Sequence, residues 1–113
     1  MDVTFENQGT RLTGVCRRPA GGGPHPAVAF VDGSGPAERD GWDAEAEALA
    51  TAGFASLAWD KPGCGDSGGD WRGQSLQDRA AEALAALACL AAQDGVDPGQ
   101  PGPLVVEGHV HVR

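Results

Sequence analysis

Ala27-Val28-Ala29-Phe30-Val31-Asp32-Gly33-Ser34-Gly35-Pro36 is the stretch that decides the fold. Five apolar residues run together without polar alternation, which suits a strand buried on both faces, as in a parallel sheet. Asp32-Gly33-Ser34-Gly35-Pro36 then ends the strand sharply. A tight turn at the carboxyl end of a parallel strand is where open α/β sheets bind ligands. Glycine there lets backbone N–H groups approach an anion closely. An ordinary strand-to-helix turn accounts for this loop equally well when it is taken alone. A nucleotide site is weaker, because no G-x-G-x-x-G or G-x-x-x-x-G-K-[S/T] follows any strand.

Working outward, Trp42, Ala46, Leu49 and Ala50 fall at helical spacing, with Gly53 as the stop. Ala55 to Trp59 is a second apolar strand. It runs into Asp60-Lys61-Pro62-Gly63-Cys64-Gly65-Asp66-Ser67 and a glycine-rich loop that lasts to Gly73. Ser75-Leu76-Gln77-Asp78 fits a capping box. Behind it Leu76, Ala80, Leu84, Leu87 and Leu90 or Ala91 predict one apolar face of a long helix ending at Gly95. Asp97-Pro98-Gly99 turns the chain, and Leu104-Val105-Val106 predicts a short strand. In the other direction, Pro19 to Pro26 is a loop. Val3-Thr4-Phe5, the turn Asn7-Gln8-Gly9 and Leu12 to Cys16, interrupted by Gly14, predict an antiparallel hairpin. The order is hairpin, then β, α, β, α, β, and such alternation implies parallel strands joined by right-handed crossovers.

The chain has 113 residues, with 8 Lys and Arg against 16 Asp and Glu, a net charge of −8. One domain is the expectation. The 41% hydrophobic content fits a globular chain. The acidic balance speaks against a nucleic-acid partner, which would want clustered Lys and Arg. Arg11, Arg17 and Arg18, the nearest to a basic cluster, read as a solvated strand face. Cys16, Cys64 and Cys89 are scattered and odd in number, as expected of reduced thiols in a cytoplasmic protein. Cys16 and Cys89 read as small core residues, and Cys64, in its glycine-rich loop, as exposed. The alanine-rich helix carries Glu82, so no membrane span is expected.

Taken as a pair, the loops after the two apolar strands resemble those of the α/β-hydrolase family. They come closest to its esterase and prolyl-oligopeptidase-like serine hydrolase branch. That branch carries a His-Gly-Ser-Gly-Pro-like loop and, one helix and one strand later, an Asp-x-Arg-Gly-x-Gly-x-Ser-like loop. Asp32 stands here at the usual histidine and Pro62 at the usual arginine. Asp60, Gly63, Gly65 and Ser67 keep their places, and Ala55 to Trp59 and Val96-Asp97-Pro98 also sit as in such enzymes. The resemblance implies an incomplete α/β-hydrolase fold, a hairpin followed by a partial, mostly parallel sheet with flanking helices. It implies one truncated domain over residues 1–113, family-like over 1–100 and with a divergent tail over 101–113. Gly33 and Ser34 would then be the remnant of the segment that lends one oxyanion-hole N–H.

The same family follows with a strand and a G-x-S-x-G elbow bearing the nucleophile. This chain reads Val106-Glu107-Gly108-His109-Val110-His111-Val112-Arg113, and the resemblance puts Val110, which has no nucleophilic atom, in that place. The remaining serines, Ser34, Ser56, Ser67 and Ser75, lie in no such elbow. The expectation is therefore a truncated or frame-shifted hydrolase of ester, thioester or peptide bonds, inactive alone, with no catalytic residue and no cofactor. The alternative is a non-enzymatic module that self-associates or is completed by a partner chain through an incomplete sheet edge. A further alternative is a small metal-binding protein using His109 and His111, which share one strand face. With His25 in a distant loop they fall short of a ligand set, so no metal site is expected.

Overall fold

Gln8 and Gly9 both adopt positive φ, 52° and 79°, the geometry that lets a two-residue hairpin follow the twist of its strands. They join β1 (Asp2–Asn7) to β2 (Thr10–Arg17), paired antiparallel from Asp2 with Val15 to Asn7 with Thr10. The computed structural model describes residues 1–33, 35–96 and, for the backbone, 104–107. Expectations that fall on Ser34, Asp97-Pro98-Gly99, Gly108, His109, Val110 and His111 lie outside those residues.

The remaining elements follow the predicted order. They are β3 (Ala27–Val31), a 3-10 turn over Arg39–Trp42, α1 (Asp43–Thr51) and β4 (Ala55–Trp59). A second 3-10 turn over Trp71–Gly73, α2 (Leu76–Ala91) and β5 (Leu104–Glu107) complete them. One sheet holds all five strands in the order β1-β2-β4-β3-β5. β3 pairs parallel with β4 on one side and with β5 on the other. The hairpin joins through β2, which runs antiparallel to β4. Gly14 interrupts the alternation of β2 because of β4: a Cβ there would come within 2.7 Å of the Ala58 carbonyl oxygen.

Strand alternation divides the core into two layers. Ala27, Ala29, Ala55, Leu57 and Trp59 meet Ala86 and Leu90 of α2, together with Leu12 and Cys16 of β2. Val28, Phe30 and Ala58 meet Ala46 on the other face, with Trp42, Leu49 and Val15 packed around them. Phe30 and Trp42 stack with centroids 4.6 Å apart. The continuous apolar runs of β3 and β4 are thus explained by helices on both faces.

The capping box forms: Ser75 accepts from the Asp78 N–H, and the Asp78 carboxylate accepts from the Ser75 N–H. The buried face of α2, however, differs from the expected one. Leu76 is 85% exposed and Leu84 is 67% exposed, while Glu82, Ala86 and Leu90 face the sheet. A buried carboxylate takes the place that periodicity gave to leucine. It can do so because Trp59 donates its indole N–H to Glu82 at 2.5 Å and Gln74 donates its amide at 2.6 Å. The cysteines also differ: Cys64 is buried rather than exposed, and Cys89 is only half-buried.

Candidate functional site

The chain leaves β3 through α1 to reach β4 on one side, then returns through α2 to β5 on the other. The winding reverses at β3, so the carboxyl ends of β3 and β5 flank a topological switch point, where α/β sheets bind ligands. Val31 pairs with Glu107 at that end. The turn that begins at Asp32 and Gly33 therefore opens onto the switch point. The loop that begins at Asp60 lies beside it, at the end of β4.

Asp60 is 1% exposed and joins the two loops. Its carboxylate accepts the Arg39 N–H at 2.6 Å, the Arg39 guanidinium at 2.5 Å and the Asp66 N–H at 2.9 Å. A carboxylate so occupied is a clamp, with no oxygen turned toward a reacting proton. Arg39 also reaches Asp66 at 3.1 Å.

Lys61, next in the chain, is 2% exposed. Its ammonium donates to the carbonyls of Gly33 at 2.5 Å and Gly35 at 2.7 Å and lies 5.4 Å from the Trp71 ring centre. Its backbone N–H meets the Ala37 carbonyl at 2.9 Å. From α2, the Arg79 guanidinium donates to the Asp32 carbonyl at 2.5 Å. The Asp32 side chain accepts the Trp42 indole N–H at 3.0 Å. Burial holds Asp32 above the usual carboxylate range, against the pull of that bond and of the Lys61 charge. Burial pushes Lys61 below the usual lysine range, with the Arg79 charge acting in the same direction.

The second loop is held by its own backbone. Gly63 has φ +82°, and a Cβ there would stand 2.9 Å from the Gly69 carbonyl oxygen. Gly65 has φ +49°, and a side chain there would collide with the Asp60 carboxylate. Glycine is thus what allows the Asp66 N–H to reach Asp60. Ser67 is buried; its hydroxyl donates to the Asp60 carbonyl at 2.7 Å and accepts the Thr13 N–H at 2.9 Å. It ties β2 to the loop, and among the described residues its hydroxyl bonds to no side-chain base.

Of the residues singled out by sequence, the structure gathers Gly33, Asp60, Gly63, Gly65 and Ser67 at one end of the sheet. His25 lies at the other end, and its ring approaches the Gly21 carbonyl at 3.4 Å. Sequence reasoning missed Lys61, Arg39 and Arg79 as parts of this assembly. The sole sequence signal was the charged pair Asp60-Lys61 directly behind an apolar strand.

A hollow of about 290 Å3 lies between the loops, lined by Pro36, Gly63, Gly69, Asp70, Trp71 and Arg72. A larger one, about 680 Å3, opens at the amino ends of the parallel strands beside Arg17, Arg18, His25 and Glu47. Its size does not make it the site, because α/β sheets place their chemistry at the carboxyl ends. There Arg17 is paired with Asp43 at 2.8 Å and Arg18 with the Asp94 carbonyl at 2.8 Å.

No protein-family model and no curated protein matches the chain. Solved structures do. A hypothetical protein from Pseudomonas aeruginosa is 26% identical with a TM-score of 0.76, over 95% of this chain and 33% of that one. Est1E from Butyrivibrio proteoclasticus, solved with ferulic acid bound, is 23% identical with a TM-score of 0.71, over 95% and 42%. An epoxide hydrolase from Vigna radiata is 19% identical with a TM-score of 0.71, over 95% and 30%. The chain spans between 30% and 42% of the length of these proteins. The likeness shows the fold: a partial α/β-hydrolase fold, hairpin first, with β3, β4 and β5 parallel and a helix on each face. No helix among the described residues is long and apolar enough to cross a membrane.

Proposed function

We propose that the chain is the N-terminal portion of a serine-dependent α/β-hydrolase acting on ester, thioester or peptide bonds, of the esterase and prolyl-oligopeptidase-like branch. One observation carries the reading. The turn that opens at Asp32 and Gly33 lies at the switch point beside β5, and the Lys61 ammonium ties the Gly33 and Gly35 carbonyls to the Asp60–Ser67 loop. In that fold such a turn lends one oxyanion-hole N–H, and the residue after the nucleophile lends the other. The reading gives Gly33 and Ser34 the first role and puts Val110 at the nucleophile's place. No serine of this sequence occupies an elbow, and one donor without a nucleophile accelerates nothing. The chain by itself is therefore inactive. Three unpaired cysteines favour a reducing compartment, and the reading places the protein in the cytoplasm.

Two experiments test this. The purified chain is incubated with a fluorophosphonate probe and a short-chain p-nitrophenyl ester; neither labelling nor turnover is expected, and a labelled serine would overturn the inactivity. The coding DNA from the codon of Asp97 onward is read in all three frames. An open frame for Gly-x-Ser-x-Gly is expected, and its absence from every frame would count against hydrolase ancestry.

A second reading rests on the sheet. Among the described residues β5 pairs only with β3, which leaves its other edge open. We infer a surface there for a second copy or a partner chain. Native mass spectrometry is expected to show an assembly, and a stable monomer would count against it.

A further inference from the structure

Helix α2 is apolar on the side that faces water as well as on the side that faces the sheet. Leu76 and Leu84 are 85% and 67% exposed, and Ala80 and Ala88, at the same four-residue spacing, are exposed with them. Residues four apart lie nearly one above another, so these side chains form a single ridge along the helix. A surface helix ordinarily turns its charged residues to this side. The three of α2 are all engaged elsewhere. Asp78 closes the capping box, Arg79 reaches the Asp32 carbonyl, and Glu82 is buried against Trp59. From Ala80 to Ala92 the outer side therefore carries no charge, in a chain whose net charge is −8. The hairpin leaves the ridge free, because it meets the opposite flank of the helix. There Asp78 neighbours Gln8, and Cys89 packs with the core cluster of Leu12 and Cys16.

We propose that this ridge is an interface between two copies of the chain, with the α2 helices antiparallel about a two-fold axis level with Glu82. The ridge is self-complementary in size. An antiparallel copy sets Leu76 opposite Ala88 and Ala80 opposite Leu84, so each leucine meets an alanine, and the two-fold makes each contact twice. Large against small lets the backbones approach while the leucines interdigitate. An axis level with Ala80 would set Leu76 against Leu84, and one level with Leu84 would set that leucine against itself. The alternation thus selects the register. Because the ridge is uncharged, two copies of an acidic chain meet there without like-charge repulsion. The face is one helix long, about 24 Å, and falls short of the roughly 800 Å2 per partner of a standard interface. The dimer is therefore concentration-dependent. Its surface is distinct from the open edge of β5, which lies at the margin of the sheet.

Analytical ultracentrifugation from micromolar to millimolar chain measures the association. The unaltered chain is expected to pass from one copy toward two as its concentration rises. Leu84→Glu places a charge on the ridge at an exposed position, where it leaves the fold intact. It is expected to weaken dimerisation by about tenfold or more, the scale of desolvating an unpaired charge. Ala80→Lys, also at an exposed position, should weaken it too. An equimolar mixture of the two variants is expected to restore the dimer, because the axis sets position 84 of one copy opposite position 80 of the other. A mixture that associates no better than either variant alone would overturn the proposal. So would an unaltered chain that stays monomeric throughout, which would leave the ridge to a different protein. A dimer that Leu84→Glu does not weaken would overturn it as well, and would place the association at the β5 edge instead.

Discussion

Asp60 shows how one buried side chain can hold two loops. Asp60→Ala would leave the Arg39 N–H, its guanidinium and the Asp66 N–H without their acceptor. A loss of about 3 kcal/mol in urea unfolding is expected, as for the breaking of a buried ion pair. A loss within about 0.5 kcal/mol, typical of a surface change, would show that the clamp is dispensable. Asp32 gives a pH signature. Burial raises its folded-state pKa above the unfolded one, so the folded chain binds that proton more tightly. The resulting stability is fully present below the unfolded pKa and is lost as pH rises through the folded one. Asp32→Asn cannot titrate. The stability of the native chain minus that of Asp32→Asn should therefore fall as pH rises through and above the usual carboxylate range. Chemical denaturation across that range measures it, and a difference that rises with pH would contradict the assignment. At this scale the sequence made the loops legible, because Gly63, Gly65, Asp60 and Ser67 lie within eight consecutive positions. The roles of Arg39 and Arg79 were not legible. Their partners lie 21 and 47 residues away in the chain, and no local pattern records such bonds.

Helix α2 shows where periodicity succeeds and where it fails. Its start was readable from Ser75 and Asp78, because a capping box is satisfied by residues three apart. Its orientation was not. Counting leucines selects Leu76 and Leu84, yet both face water, and the buried stripe runs through Glu82, Ala86 and Leu90. An alanine-rich helix has little contrast between its faces, so one strong polar contact can turn it. Trp59 and Gln74 supply that contact by satisfying Glu82. Leu84→Ala is expected to change stability by less than about 0.5 kcal/mol. Leu90→Ala, at a fully buried position, should cost about 3 kcal/mol. Paired urea titrations compare them, and equal losses would restore the leucine-counted face.

In the whole molecule, β3 and β4 lie inside the sheet, each with a neighbour on both sides and a helix layer above or below. Among the described residues β1 pairs only with β2. Hydrogen exchange is expected to be slowest in Ala27–Val31 and Ala55–Trp59 and faster in Asp2–Asn7, because opening an edge strand disrupts fewer contacts. Equal protection of β1 and β3 would contradict this. The sequence by itself determined the element order, the parallel core and the pairing of the two loops. Those follow from apolar runs, glycine positions and caps, all of which act over a few residues. Only the tertiary structure decided that β4 lies between β2 and β3, which face of α2 is buried, and what holds the Asp32–Pro36 turn. Each of these depends on contacts between residues far apart in the chain, and such contacts leave no local signal beyond a charged pair at a strand end such as Asp60-Lys61.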